Sequence, residues 1–285
     1  MHRSFALFFA LILATVSIAT TGFAADADIL RFEVSDSGKE RLQLALRRNT
    51  APNRSSGSSF EVRELAGFDR AALRKDGTPV RFALVREPGR LDCSGRSDDR
   101  RARGNCRFTA DPAFANFLVA AGMRRPTESE TIDLTMVGAK RSLVEALRQG
   151  RYAMPSPSGL AGLTALNVTP DYIRTMAASG YRPRRTEDFI TLKALDVSPA
   201  YIASLKRVGY DRVPVEELIQ LKALGVTADF IASYQRRGYR NLSVSRLVQL
   251  KALGIRPEEI GRSGSGRPIA MTSEVAPVIM SALLP

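Results

Sequence analysis

Histidine, tryptophan and cysteine are nearly absent from this sequence. It contains no tryptophan, one histidine, His2, and two cysteines, Cys93 and Cys106. Because His2 lies within a predicted leader, the mature chain is expected to contain no histidine. Catalytic triads and dyads that use histidine are thereby excluded, as are zinc sites built on imidazole. We therefore expect a protein that is not an enzyme and that needs no cofactor or metal.

The first 24 residues have the features of a signal peptide. Arg3 supplies a positive charge, an almost continuous apolar run spans 5–18, and Gly22 and Ala24 are the small residues of a cleavage site. The run is shorter than the roughly 20 residues needed to span a bilayer. The sequence thus predicts a periplasmic or secreted protein with no transmembrane segment in its mature form.

Negative charge is also scarce. The chain has 29 acidic residues against 42 basic ones, a formal net charge of +13, and 35 of the basic residues are arginine. This balance favours anionic partners such as nucleic acid, phospholipid head groups or acidic polysaccharide. The alternative is a genome whose base composition favours arginine codons.

Residues 28–110 are predicted to form a small β-rich module. Partial alternation of apolar and polar residues predicts strands at 29–34, 40–47, 60–63 and 79–87. The Ser-, Gly- and Asn-rich segment 49–59 is predicted to be a loop. Asp69 is placed to cap a short helix that ends at Gly77.

Two further strands can be aligned by symmetry about a turn between Asp99 and Arg100. This register places Leu91 opposite Phe108, Cys93 opposite Cys106 and Gly95 opposite Gly104, all on one face. In an oxidising compartment the cysteines are expected to form a disulfide. The long tip is either a solvated loop or a basic finger, and its charged residues are Arg96, Asp98, Asp99, Arg100, Arg101 and Arg103.

Internal repetition dominates the second half of the chain. The segment 163–168 recurs at 192–197, 221–226 and 250–255, at a constant offset of 29 residues. Each unit is predicted to contain two short helices, the first capped by a residue such as Thr169 and ended by a glycine such as Gly180. Because helices this short are unstable alone in water, stacking of neighbouring units must supply their core.

The same register extends backward to Asp111. About five units are therefore expected within 111–261, the last one truncated, followed by a linker and an apolar tail at 262–285. The second helix of the first unit is the least regular, because 131–137 alternates like a strand. The predicted fold is α+β: a small antiparallel β module followed by an α-helical-hairpin solenoid with a 29-residue repeat.

The sequence pattern of the repeat resembles one found in a known group of proteins. Its pattern Val-Thr-Pro-x-Tyr/Phe-Ile, Gly-Tyr and Leu-Lys-Ala-Leu-Gly-Val is seen in 168–173, 180–181 and 221–226. It resembles helical repeats in the extracytoplasmic part of some β-lactam-sensing antirepressor membrane metallopeptidases and in stand-alone exported proteins. The likeness covers roughly 80–261. It implies an accessory module without catalysis, since the peptidase signature H-E-x-x-H is absent.

These features predict an exported, non-enzymatic interaction or scaffold module that binds a protein or an anionic envelope component. The candidate binding site is a stripe of arginines near the Gly-Tyr motifs. The alternative is that these arginines only keep the surface soluble. They are Arg182, Arg184, Arg185, Arg207, Arg212, Arg236, Arg237 and Arg240. The alternative is a hydrolase that attacks an envelope glycan with carboxylates alone. Specific nucleic-acid binding is not expected, because no recognised motif accompanies the charge.

Overall fold

The computed structural model describes residues 30–48 and 55–260. The predicted leader, at 1–24, and the predicted linker and apolar tail, at 262–285, lie outside the described residues. Strands occupy the chain up to Ala110 and helices follow it, so the predicted α+β class is confirmed. Within the described part of the chain, no helix has both the length and the apolar character that crossing a membrane requires.

The strands form one curled antiparallel sheet. They are β1 (Leu30–Gly38), β2 (Arg41–Arg48), β3 (Ser55–Glu61), β4 (Leu65–Ala66), β5 (Pro79–Arg86), β6 (Gly89–Asp98) and β7 (Arg101–Ala110). Their order across the sheet is β3-β2-β1-β7-β6-β5-β4. The first strand therefore lies inside the sheet, third in this order, and is hydrogen-bonded to β2 on one side and to β7 on the other.

One face of this sheet is apolar. Alternate residues of the strands, such as Phe32, Leu44 and Leu91, are buried and form a core. The 3₁₀ turn Arg70–Arg74, capped by the side chain of Asp69 as predicted, covers part of this face with Ala72 and Leu73. The opposite face is polar and largely exposed.

The predicted hairpin register is confirmed. Cys93 faces Cys106 and the two residues form a disulfide. Gly95 faces Gly104, and a Cβ atom on Gly104 would lie 2.5 Å from the Cα of Gly95 and 2.8 Å from the ring of Phe32. No side chain fits between these backbones, so the glycine pair is what allows the two strands and Phe32 to approach.

Two sequence predictions about this module are wrong. The segment 55–59 is not a loop but most of β3, because it forms a full ladder with β2. The tip of the hairpin is not a long loop either, because strands β6 and β7 continue to Asp98 and Arg101 and only Asp99 and Arg100 form the turn.

Ten helices follow in the described chain. They are α1 (Pro112–Ala120), α2 (Glu128–Val137), α3 (Arg141–Gln149), α4 (Pro157–Ala165), α5 (Pro170–Ala178), α6 (Asp188–Ala194), α7 (Pro199–Arg207), α8 (Val215–Ala223), α9 (Ala228–Arg236) and α10 (Val244–Ala252). None is longer than ten residues. Their stability therefore depends on packing rather than on helix propensity.

The helix ends follow the predicted capping chemistry. The side chains of Thr169, Ser198 and Thr227 each accept a hydrogen bond from the backbone N–H three residues later. A residue with positive φ follows each of the ten helices, and these residues recur every 29 positions in two series. After the first helix of each pair they are Gly122, Arg151, Gly180, Gly209 and Gly238. After the second helix they are Gly138, Asn167, Asp196, Gly225 and Gly254. The predicted turns thus exist, with Arg151 in place of a glycine.

The helices share one continuous apolar core. Second helices contact one another in sequence, α2 with α4, α4 with α6, α6 with α8 and α8 with α10. First helices contact in the pairs α1–α3, α3–α5 and α7–α9. The core contains residues from α1 through α10, among them Phe114, Phe189 and Leu247.

Helix α2 belongs to both cores. Ile132 and Met136 pack in the core of the sheet, whereas Leu134 packs in the core of the helices. The guanidinium of Arg86 donates to the Met136 carbonyl oxygen at 2.7 Å and so holds the end of α2 against β5. This two-sided burial explains why 131–137 alternates like a strand although it is helical.

Candidate binding surface

All eight candidate arginines are exposed, and they lie at the ends of first helices or in the loops that follow them. Arg207 and Arg236 end α7 and α9, and Arg237 follows α9. Arg182 donates to the Gly150 carbonyl oxygen at 3.1 Å. Within the described chain, no carboxylate lies at ion-pair distance from any of the eight, so their charge is not neutralised by this part of the protein.

Their positions in the sequence correspond only in part at the 29-residue spacing. Arg207 and Arg236 are equivalent in successive units, 29 residues apart, and Arg182 and Arg240 are equivalent two units apart. The intervening position is Asp211, whose carboxylate pairs with Lys206 at 3.5 Å. The positions at this spacing are therefore not all basic, because an acidic residue lies between Arg182 and Arg240.

An open groove of about 690 Å³ separates the loops of these last two units. Its lining includes the exposed residues Arg236, Arg240 and Asn241 and the half-buried residues Val208, Ala232 and Leu242. This volume lies within the range of ordinary ligand sites, about 300–1,000 Å³. Of the eight predicted arginines, the structure brings Arg236 and Arg240 together around this groove, while the other six do not line it.

Two hydrogen bonds fix the walls of the groove. The hydroxyl of Tyr210 donates to the Leu242 carbonyl oxygen at 2.5 Å, and the side-chain amide of Gln235 donates to the Val208 carbonyl oxygen at 2.8 Å. Since both bonds connect one unit to the next, the groove is built before a ligand arrives. The sequence did not indicate Gln235 and Asn241, because neither belongs to a motif and the residues 29 positions earlier, Lys206 and Arg212, are of other types.

The carboxylates of Glu130 and Glu33 have lowered pKa values. A carboxylate general acid needs a raised pKa. The hydrogen bond from Arg124 instead lowers the pKa of Glu130 to about 2, and the hydrogen bond from Arg103 lowers the pKa of Glu33. Glu216 and Glu217 lie in the first turn of α8, where they complement the helix dipole. Among the described residues, no cluster of three potential metal ligands occurs.

The hairpin tip does not form a free basic finger. Arg101 and Arg103 pair with Glu33 at 2.8 and 3.0 Å, and Arg103 also pairs with Asp98 at 2.7 Å. Two arginines of the tip are thus held by ion pairs to a residue of the neighbouring strand β1. The tip is therefore a partly neutralised end of the sheet.

No protein-family model, no curated protein and no solved structure matches this chain.

Proposed function

We propose that this protein is an exported, non-enzymatic binding module whose helices stack as a solenoid of 29-residue units. The stacking is supported by the first residues of the first helices, at 112, 141, 170, 199 and 228, which are 29 residues apart. It is also supported by the consecutive contacts of α2, α4, α6, α8 and α10. In such an array, each unit buries its apolar face against the next.

The groove between the last two units carries the binding proposal. Its arginines, Arg236 and Arg240, have no carboxylate partner within the described chain, and its lining also includes apolar side chains such as Val208 and Leu242. A protein segment or envelope component that carries negative charge satisfies both properties, because guanidinium groups form bidentate hydrogen bonds with carboxylates and phosphates. The surface of the helical units, rather than a catalytic centre, is the functional part in this proposal.

The proposal of export rests on two features. The predicted leader at 1–24 precedes the described chain, and the Cys93–Cys106 disulfide is of the kind that persists in oxidising compartments. A periplasmic or secreted location would also give the groove access to envelope polymers and proteins.

The test compares capture of envelope components by the full chain and by the triple variant Arg236→Ser, Arg237→Ser and Arg240→Ser. We expect capture by the variant to fall several-fold, with a melting temperature close to that of the parent, since exposed substitutions usually cost less than about 0.5 kcal/mol. Capture by the parent should weaken as salt is raised, because exposed charges are screened over about 8 Å at 0.15 M.

A matched control removes three exposed basic residues from turns and the 3₁₀ segment of the sheet: Lys39→Ser, Arg74→Ser and Arg100→Ser. These residues are exposed and line no part of the groove. Capture should be unchanged in this control. Equal capture by the groove variant and the parent would contradict the proposal. An equal loss of capture in the groove variant and in the control would mean that capture depends only on the net charge of the protein.

A further inference from the structure

The outer face of the sheet presents a second charged surface, separate from the groove. Outward residues alternate with buried ones along each strand, as Arg31 does between Leu30 and Phe32. The described elements that cover the sheet, α2 and the 3₁₀ turn, contribute their side chains to the core on the inner face. The outer face is therefore exposed within the described structure.

A row of outward residues crosses five strands of this face. Arg47 lies opposite Arg31, and Arg31 lies opposite Asn105. Asn105 lies opposite Ser94, and Ser94 lies opposite Arg81. With neighbouring strands about 4.8 Å apart, the row extends about 19 Å along the curled surface. It contains three arginines, two small polar residues and no carboxylate.

The charge of this row is not compensated by its neighbours. The carboxylate of Glu33, one row away, is engaged by Arg101 and Arg103, and Asp92 is engaged by Arg90 at 2.7 Å. No described carboxylate lies at ion-pair distance from Arg31, Arg47 or Arg81. The cross-strand pair of Arg31 and Arg47 is itself unfavourable, since like charges directly opposite each other destabilise a sheet.

We propose that this row binds a linear anionic polymer that carries carboxylate or phosphate groups, such as an acidic polysaccharide. Guanidinium groups at both ends of the row would pair with successive anionic groups, while Asn105 and Ser94 would hydrogen-bond neutral groups between them. An anion that bridges Arg31 and Arg47 would also relieve their repulsion.

The chemistry of the face selects this partner over other macromolecules. No aromatic or large apolar side chain occurs in the row, and the whole chain has no tryptophan. Protein interfaces have an apolar or aromatic centre, and single-stranded nucleic acids are bound by stacking on aromatic rings. A polymer recognised through its charges and hydroxyl groups needs neither feature.

The test measures binding of the full chain to polygalacturonate and to inorganic polyphosphate, with neutral dextran and anionic phospholipid vesicles as comparisons. The variant Arg31→Ser, Arg47→Ser, Arg81→Ser should bind the polyanion at least tenfold more weakly at low salt. Its melting temperature should be equal to or higher than that of the parent, because the repulsion between Arg31 and Arg47 is removed. The control Lys39→Ser, Arg74→Ser, Arg100→Ser should retain parental binding.

Binding of either polyanion that depends on the row supports the proposal, and the preferred polymer identifies carboxylate or phosphate as the ligand group. Equal losses in the row variant and in the control would overturn it, as would binding to vesicles alone or to neither polymer. The groove variant Arg236→Ser, Arg237→Ser, Arg240→Ser should lose much less of this polyanion binding than the row variant does, whereas the row variant should keep the capture that depends on the groove. Failure of this proposal is therefore distinguishable from failure of the groove.

Discussion

The sheet and the helices of this protein are stabilised by different side chains. Both cysteines lie in the sheet, where they join β6 to β7, whereas all seven tyrosines lie beyond Ala110 in the helical region. The sheet depends on contacts between residues that are distant in sequence, such as the pairing of β1 with β7. The helices repeat the same short-range contacts from pair to pair. Each region should therefore respond to perturbations that the other tolerates.

In the helices, tyrosine hydroxyl groups connect one unit to the next. Tyr172 donates to the Val197 carbonyl oxygen at 2.9 Å, and Tyr201, 29 residues later, donates to the Val226 carbonyl oxygen at 2.8 Å. A lysine ammonium lies over each of these rings, 4.9 Å and 4.8 Å from the ring centre. The next equivalent ring, Phe230, keeps its lysine but has no hydroxyl. A repeated contact can thus lose one component in one unit without losing the fold.

The largest expected effect is in the sheet. Replacement of Gly104 by Ala should destabilise the protein by more than about 3 kcal/mol, because the new methyl group would lie 2.2 Å from the Ser94 carbonyl oxygen. Gly38→Ala is the control, because that position has positive φ but no atom within 4 Å of an added Cβ. Chemical denaturation measures both changes. Similar small losses in the two variants would refute the steric explanation.

Removal of the disulfide is expected to have the next largest effect. The variant Cys93→Ala, Cys106→Ala should lose about 2–3 kcal/mol, since the bridge closes a loop with a sequence separation of 13 residues. The same loss should follow reduction of the parent by dithiothreitol. Hydrogen exchange should show the increased opening in β6 and β7. An equal increase in α5 to α10 would show that the two regions do not respond separately.

A smaller effect is expected at the helix ends. Gly209 has a φ of +92° and no atom near an added Cβ, so Gly209→Val should cost about 1–2 kcal/mol through backbone strain alone. The equivalent residue two units earlier is Arg151, which has a φ of +57°. Arg151→Gly should therefore be stabilising, by about 0.5–1 kcal/mol. Thermal melts of both variants test the sign of the change in stability. If both melting temperatures moved in the same direction, backbone strain would not be the cause.

The smallest expected effect concerns a single hydroxyl. Tyr201→Phe should cost about 1 kcal/mol at pH 7 through the lost hydrogen bond to Val226. Burial raises the pKa of Tyr201 from 10.0 to about 12, so this contribution is complete below pH 10 and is lost as the pH rises through 12. The helical circular dichroism of the parent should weaken over that range, and less so in the variant. Identical alkaline profiles would contradict this role.

Local signals predicted most of the helices and part of the sheet. Capping residues and terminal glycines locate α3 to α10, because each cap involves residues within a few positions of one another, and their recurrence every 29 residues supports the same prediction. The pairing of Cys93 with Cys106 was predictable for the same reason, since a short turn fixes its register. The order of the strands was not, because the pairing of β1 with β7 joins residues about 70 positions apart and has no local signature.

The sequences of two elements do not indicate the structures that these elements form. The segment 55–59 has the composition of a loop, yet it pairs as a strand because β2 offers an unoccupied edge and Phe60 anchors its end in the core. Helix α2 lacks a single apolar face, because Ile132 and Leu134 are buried in different cores. In the candidate surface, the sequence named Arg236 and Arg240 as candidates but did not indicate the groove, which is formed by residues from two helical pairs.

The position of β1 between β2 and β7 has a consequence for the order of folding. This strand cannot complete its hydrogen bonds until β7, which ends at Ala110, is available, so the sheet closes only when the chain is present up to that residue. A helical pair needs about 30 contiguous residues and one neighbouring pair. Contacts that are local in sequence form faster than distant ones. In refolding from denaturant, helical signals should therefore precede protection of β1, which makes the N-terminal region the last to reach its native structure.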